Sequence, residues 1–383
     1  MNINQLPDDC LLYIFHHFNS FEILLDCSAV CERWRHLVFE RLKNVKYLSN
    51  SRDGYPASTV YFDTDDSVER TNIPKWFPKL KIYALREGFD VDVISNLAVK
   101  GLQLDLFFTD VDDITLEFPS LEMVAIQKFH SFFANDVQGP MLKQLFIHCS
   151  FSKFTRYAKY FPNLERLHIE NFVGIPREDT FYSGPVLEKI EILESCSHTQ
   201  LEPCEYYGFS LADRCPALKS AYHYIQTGHE FFVNSGIKNL LLEDLVLQFD
   251  DVYEAPDWSI LRLILSKYPN VKHLAIRGGS DTGISDENIP ELLKLLPRII
   301  LIDIRNSKKV TEKSTEYIDR YGKHHNRSIS LYYQKRPKIT KKWPHLLTKH
   351  VFIGEGLDFM KYCFLMDAIQ CHKRLPYLLD PFE

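Results

Sequence analysis

The stretch that decides the fold is LPDDCLLYIFHHFNSFEILLDCSAVCERWRHL, residues 6–37 of a 383-residue chain. Leu6-Pro7 predicts an extended entry, because proline fixes its own φ and disfavours the helical conformation in the residue before it. Asp8 and Asp9 follow, where a helix N-terminus favours acidic side chains. The opening of this stretch therefore predicts a helix that begins directly after Pro7.

The same stretch predicts three short amphipathic helices. The first has apolar residues at i, i+3, i+4 and i+7, namely Leu11, Ile14, Phe15 and Phe18. After Asn19-Ser20, which ends this helix and caps the next, two further stripes follow: Ile23, Leu24 and Cys27, then Val30, Trp34, Leu37 and Val38. So small a unit is marginally stable unless it packs on something larger. It is either a docking module or a helical cap on the domain that follows.

Residues 6–37 resemble an F-box. The Leu6-Pro7 opening, the Ile14-Phe15 pair and the closing VCERWR of residues 30–35 fall in the register of that family without a gap. Cys10 and Phe18 replace the usual leucines, and Glu32 replaces a usual basic residue.

This resemblance implies a partner. F-boxes bind a small SKP-family adaptor that links them to a cullin scaffold. Carried onto this sequence, the adaptor-binding residues would be Leu6, Pro7, Leu11, Ile14, Phe18, Leu24, Val30, Cys31 and Trp34. For each of them, packing inside the module is the alternative interpretation.

A phrase of Pro, any residue and then Leu-x-x-Leu-x-Ile recurs through the rest of the chain, most clearly in FPSLEMVAI, residues 118–126. About ten copies begin at Leu80, Val99, Leu121, Leu142, Leu164, Leu187, Leu218, Leu242, Val271 and Ile299. The last two apolar residues of the phrase alternate, as a strand requires. In the copy that starts at Leu187, the predicted strand residues are Ile190 and Ile192.

The spacing and pattern of these phrases resemble leucine-rich repeats. The fold class predicted is therefore α/β, an N-terminal three-helix F-box followed by an irregular leucine-rich-repeat solenoid with parallel strands. The asparagine that often follows the strand in that family is missing from most copies, so we expect loops in place of many convex-side helices. Residues 286–296 and 312–321 are nevertheless predicted to be helical.

Three domains are predicted: the F-box over residues 1–42, the repeat array over 43–334, and a basic linker with a capping helix over 335–383. The linker carries Lys335, Arg336, Lys338, Lys341 and Lys342, and is either solvated or a nuclear-import signal. Residues 357–375 have the apolar spacing of an amphipathic helix. We interpret this helix as a cap on the last repeat, with a partner-binding tail as the alternative.

Composition excludes several classes of protein. The nine cysteines are odd in number and form no Cys-x-x-Cys pair, which favours free thiols in a reducing compartment. The first residues, Met1 to Gln5, have neither a basic start nor an apolar h-region, so no signal peptide is expected, and no apolar run approaches the ~20 residues of a membrane span. A net charge of -6 gives no case for nucleic acid. The expected location is the cytoplasm or the nucleus.

No catalytic site, cofactor site or metal site is predicted. Asp110, Asp112 and Asp113 resemble the start of a calcium loop but lack its central glycine, so a polar loop is the preferred interpretation. Cys27, Cys31 and His36 are conceivable zinc ligands, yet the two cysteines lie on different apolar faces. We therefore expect a chain without enzymatic activity of its own.

The F-box resemblance and the repeats together predict the substrate-recognition subunit of a SKP-cullin-F-box type ubiquitin ligase. The alternative is a repeat scaffold that works without degradation. Solenoids often bind targets through the strand face. The charged residues that lie between the apolar positions of the phrases are Glu122, Lys143, Glu165, Arg166, Glu188, Glu191, Lys272 and Arg277. Their signs are mixed, so the target stays unidentified.

Overall fold

In the computed structural model, two compact units make up the chain. The first comprises residues 1–142, 351–356 and 376–383, and the second residues 143–350 and 357–375. The structure describes residues 3–52, 54–62, 72–85, 98–104, 120–127, 136–173, 181–199, 205–226, 231–250, 256–278, 281–305, 307–334, 351–365 and 375–381. The domain boundaries at residues 42 and 334 stay predictions.

The first unit begins with the three predicted helices. They are α1 (Asp8–His16), α2 (Phe21–Val30) and α3 (Glu32–Leu42), preceded by a 3-10 turn over Ile3–Gln5. Ser20 caps α2, because its hydroxyl accepts a hydrogen bond from the Ile23 amide at 3.4 Å. Cys31 adopts an extended conformation, with φ −164°, and separates α2 from α3.

The first unit also contains five parallel strands in the order β2-β1-β3-β4-β5. These are β1 (Tyr47–Ser49), β2 (Thr59–Tyr61), β3 (Ile82–Leu85), β4 (Gly101–Leu104) and β5 (Met123–Ile126), with α4 (Ile73–Trp76) before β3 and a 3-10 turn (Gly139–Met141) after β5. A separate parallel pair, β14 (Ile353–Glu355) and β15 (Leu378–Asp380), completes the first unit.

The helices and the strands of the first unit pack together. The Tyr61 amide of β2 donates to the Asn19 carbonyl at 2.8 Å, between α1 and α2. The Phe21 ring lies 5.3 Å from Phe77 and 6.3 Å from Trp76, centroid to centroid. The three-helix module thus buries one side against its own unit, which is what its small size requires.

Within its described residues, the second unit has eight strands that pair in chain order, and all of these pairings are parallel. They are β6 (Gln144–His148), β7 (Arg166–Val173), β8 (Ile192–Thr199), β9 (Ser220–Ile225), β10 (Asp244–Phe249), β11 (His273–Arg277), β12 (Leu301–Ile304) and β13 (Ser330–Tyr333). Helices in the connections are α5 (Phe151–Tyr157), α6 (Gly208–Ala212), α7 (Trp258–Ser266), α8 (Ile289–Leu295) and α9 (Glu312–His324), with a 3-10 turn over Ala158–Tyr160. Residues 357–365, also part of this unit, contain the short helix α10 (Phe359–Cys363).

The core of the second unit is a ladder of apolar side chains. Register places the following residues side by side on successive strands: Leu145, Leu167, Leu193, Ala221, Leu245, Leu274 and Ile302. All of them are buried. Backbone bonds fix this register, because the two amides that begin a strand donate to one carbonyl of the previous repeat, as Glu165 and Arg166 do to Lys143. The predicted class, three helices followed by parallel strands, is confirmed.

Three predictions about elements need correction. The repeat at residues 185–192 lies in a different frame, because Leu193 and not Ile190 pairs with Leu167. Glu191 and Ile192 donate to the Glu165 carbonyl, which makes Ile190 the lead residue and Ile192 the first residue of its strand. Helices also occupy many connections where loops were expected.

The third correction concerns the predicted helix over residues 357–375. The helix that forms is α10, which Asp358 caps and which ends at Cys363 because Phe364 is extended, with φ −103° and ψ 149°. Residues 366–374 and the basic run at 335–342 lie outside the described residues. Within the part of the chain that is described, no helix is both long and apolar enough to cross a membrane.

Candidate functional site

Arg33 holds the entry of the three-helix module in place. Its guanidinium donates to the carbonyl of Asn4 at 2.7 Å, to the carbonyl of Leu6 at 2.6 Å and to Asp8 Oδ1 at 2.7 Å. Asp8 belongs to the first turn of α1, whereas Arg33 belongs to the first turn of α3. One side chain therefore ties the extended Leu6-Pro7 segment to the start of α3.

The junction between α2 and α3 lies beside this entry. Val30 ends α2 with 57% of its surface exposed, and Cys31 is the extended residue that follows. Trp34, one turn into α3, packs on Phe15 of α1 with ring centroids 5.2 Å apart. The module thus presents apolar side chains where α1 begins and where α2 meets α3.

The nine predicted adaptor-binding residues differ in exposure. Pro7 and Val30 are exposed, and five are half-buried: Leu6, Ile14, Phe18, Cys31 and Trp34. Leu11 and Leu24 are completely buried, at 0% exposure, and form the core of the module. Arg33 bonds the Leu6 carbonyl and follows Val30 and Cys31 by only three and two residues, so the entry segment lies near the α2–α3 junction. That these nine residues bind an adaptor stays a prediction.

Three residues of the module with notable exposure or contacts are not among the nine predicted ones: Tyr13, Ile23 and Arg33. Tyr13 and Ile23 are large apolar residues that are 67% and 46% exposed. Tyr13 lies outside the apolar stripe of the first helix, whereas Ile23 belongs to the stripe of the second. An apolar residue outside the stripe of a short helix was the available signal. Arg33 could have been found only from its three partners, which are far from it in sequence.

The charged candidates for a target surface also separate into two sets. Six of the eight precede a strand or lie in a turn: Glu122, Lys143, Glu165, Glu188, Glu191 and Lys272. Arg166 and Arg277 are in strands, and both are buried, at 2% and 4% exposure. The six residues therefore lie outside the strands, and the two arginines lie on a covered face.

That covered face, the polar strand face, consists of the side chains of the second unit's strands that alternate with the apolar ladder. Its buried members include Arg166, His168, Glu170, Glu194, Tyr222 and Arg277. Arg166 Nη2 contacts Glu194 Oε2 at 2.5 Å, His168 Nδ1 lies 3.1 Å from the same oxygen, and His148 Nε2 lies 2.8 Å from Glu170 Oε2. On this face Arg166, Glu194 and His168 form one buried cluster, and His148 and Glu170 form a pair.

The electrostatics of the cluster are visible at Glu194. Burial alone would raise the pKa of this carboxyl, but the Arg166 guanidinium and His168 outweigh burial and hold the pKa below its usual value. On the opposite side of the strands, burial lowers the pKa of His223 to about 3. His223 Nδ1 lies 2.8 Å from the Tyr206 hydroxyl. Glu194 is therefore ionised and His223 neutral at pH 7.

Metal chemistry receives no support from the described ranges. They contain no group of three or more His, Cys, Asp or Glu side chains that could hold a metal ion. Burial raises the pKa of the Cys27 thiol, which disfavours the thiolate that a zinc ligand must be. Asp110, Asp112 and Asp113, the considered calcium loop, lie outside the described residues.

Comparison with known proteins identifies the helical module. Residues 3–44 match the F-box-like family, so the chain carries an F-box-like domain there. The human protein "F-box only protein 44" is 46% identical over 37 residues, which cover 10% of this chain and 14% of that protein. The family match covers the three helices and ends before β1, and the chain spans only a small part of the length of that human relative.

One solved structure resembles the chain more broadly. A chain of "Crystal structure of Rad7 and Elc1 complex in yeast" aligns over 80% of this chain and 90% of its own length, with 16% identity and a TM-score of 0.39. A score of this size does not establish a common fold. The parallel architecture of each unit stands on its own strand pairings.

Proposed function

We propose that this protein is the substrate-recognition subunit of a SKP-cullin-F-box type ubiquitin ligase. Its F-box-like domain would bind the SKP-family adaptor, and the strands that follow, as leucine-rich repeats, would hold a target protein. Ubiquitin chemistry would belong to other subunits, so the chain itself would be non-catalytic. The observation that carries this proposal is the exposed apolar surface of an F-box-like module, at Pro7, Tyr13, Ile23 and Val30.

Exposure supports docking because an apolar side chain gains free energy when a partner covers it. Val30 is 57% exposed although the module contains a fully buried core around Leu11 and Leu24. Covering a valine side chain completely is worth roughly 1.5–3 kcal/mol before association costs. Burying this side chain in an interface would therefore gain free energy. The F-box-like match makes an SKP-family adaptor the expected partner.

A binding experiment with a matched control tests the adaptor step. Val30→Asp would place an unpaired carboxylate in the interface, which costs about 2 kcal/mol or more and weakens binding at least about thirtyfold. Val137→Asp makes the same change at another exposed valine, 67% exposed, outside the module. We expect wild type and Val137→Asp to bind purified adaptor equally. Equal binding by a folded Val30→Asp variant would refute the assignment of this interface.

A non-degradative scaffold is the competing function, and target turnover distinguishes the two. Proteins that accumulate on the Val30→Asp variant but not on wild type would be candidate targets of a receptor. We expect their half-life to lengthen when the chain is depleted. Bound proteins that neither gain ubiquitin nor persist longer would favour the scaffold. We place this activity in the cytoplasm or nucleus, where the nine cysteines of the chain would be expected to stay reduced.

A further inference from the structure

The strands of the second unit have two faces of opposite character. One face is the apolar ladder, which is an ordinary hydrophobic core. The other is the polar strand face, where Arg166, Glu194 and Arg277 are buried almost as completely as the leucines. Burying an ion pair rarely stabilises a protein more than well-packed apolar side chains would. If this face were only part of the hydrophobic core, its buried side chains would be expected to be apolar, like those of the ladder.

A segment near the C-terminus of the chain covers part of this face. We call residues 357–365 the strap. Arg277 Nη2 donates to the Cys363 carbonyl, and the Phe364 ring lies 6.1 Å from the His273 ring. The helix α10 packs on β10. Phe359, Tyr362 and Phe364 are buried in this position.

The strap meets the face as a bound peptide would. An arginine recognises a main-chain carbonyl, which any sequence can supply, while rings fill the space beside it. The strap is also held in an unfavourable conformation at one point, because Leu365 has φ +57°, which L-residues with large side chains rarely adopt. The free energy that this conformation costs reduces the net stability of the contact between the strap and the polar strand face.

We propose that the polar strand face is the peptide-binding surface for the target, and that the strap occupies it in cis. The occupant that fits is a peptide segment with an aromatic residue in the place of Phe364 and a main-chain carbonyl opposite Arg277. This inference rests on the receptor role proposed above, since it names the surface and the class of target. The strap, being part of the same chain, acts at a high effective concentration. A free peptide therefore binds wild type poorly.

The test uses the full chain and a fluorescent peptide with the strap sequence LDFMKYCFL, residues 357–365, carrying C363S to prevent oxidation. Phe359→Ala with Phe364→Ala loosens the strap in cis. Leu357→Ala, at a strap residue that is 46% exposed, is the matched control. We expect the loosened variant to bind the peptide at least about tenfold more tightly than wild type or Leu357→Ala. Adding Arg277→Gln should abolish that gain.

Two results would overturn the inference. One is a folded, loosened variant that binds the peptide no better than wild type, and the other is a gain that survives Arg277→Gln. Adaptor binding is measured on the same preparations. If the loosened variant does not bind the peptide but still binds the adaptor, only this inference is refuted. If wild type does not bind the adaptor, the proposed function is contradicted.

Hydrogen exchange on wild type keeps the test decisive if the variants do not fold. The Lys361 and Phe364 amides of the strap are hydrogen-bonded to Asp358 and Met360 carbonyls. If the strap is displaceable, these amides exchange by local opening at least about tenfold faster than the amides of β10. Exchange at the same rate as β10 would show that the strap is part of the core and would refute the inference.

Discussion

Replacing the ion pair of the polar strand face tests whether this face is built for stability. Arg166 Nη2 contacts Glu194 Oε2 at 2.5 Å, and both side chains are buried. Arg166→Met leaves the Glu194 carboxylate without its guanidinium partner. A buried charge that loses its partner costs about 3–5 kcal/mol, so the single variant should be strongly destabilised.

The double variant Arg166→Met with Glu194→Met removes both charges and keeps similar volumes. It also deprives His168 Nδ1 of its neighbour at 3.1 Å, which costs about 1 kcal/mol. We expect the double variant to lie within about 2 kcal/mol of wild type, since apolar replacement of a buried pair is often neutral. The coupling free energy between the two sites would then be several kcal/mol.

Urea unfolding of the four proteins at pH 7, followed by far-UV circular dichroism, measures this cycle. The slope of free energy against urea should stay constant, so that shifts in midpoint report stability. The two single variants could instead be additive, so that the free energy of unfolding of the double variant falls by about 6 kcal/mol or more. The ion pair would then be required for stability. The reasoning that separates the polar strand face from an ordinary core would then be wrong.

Three further predictions concern other parts of the chain. Burial lowers the pKa of His223 to about 3 in the folded protein, compared with about 6.5 in the unfolded chain. The stability that neutral His223 contributes is therefore lost as the pH falls from about 6.5 toward 3. The stability advantage of wild type over His223→Asn should therefore shrink by about 2 kcal/mol from pH 7 to pH 5 in urea titrations, and a constant difference would contradict the burial argument. Arg33→Ala removes the three bonds to Asn4, Leu6 and Asp8 that hold the entry of the module. Adaptor titrations should therefore show about tenfold weaker binding with a stability loss of only about 1 kcal/mol; unchanged affinity would exclude this positioning role. Leu24→Ala should cost about 2–5 kcal/mol in thermal or urea unfolding, because Leu24 is fully buried, whereas Ile23→Ala at the exposed neighbour should cost under about 0.5 kcal/mol; the reverse order would contradict the assigned burial.

The sequence was sufficient for the elements whose signals are local. The apolar spacing of Leu11, Ile14 and Phe15 predicts α1, and the Leu-x-x-Leu-x-Ile phrases predict most strands, because both patterns arise from the geometry of one element. The repeat at Leu187 shows where local information ends. Ile190 fits two frames three residues apart, and the choice between them comes from backbone bonds to Glu165 in the preceding repeat.

The functional surfaces depend on contacts that are distant in sequence. Nothing near Arg33 indicates that it binds the Leu6 carbonyl, and nothing near Arg277 indicates that its partner is the carbonyl of Cys363, 86 residues later. For the same reason, the apolar residues of the strap resembled one amphipathic helix. Phe364 breaks that helix and instead lies beside the His273 ring. Such tertiary contacts override local propensity.

Hydrogen exchange of the full chain with and without saturating SKP-family adaptor is the most direct test of the central claim. If the F-box-like domain is the docking surface, the adaptor should slow amide exchange in residues 6–34 at least about tenfold and leave β8 to β11 unchanged. No change in residues 6–34 of a folded chain at saturating adaptor, or protection confined to the second unit, would contradict the account.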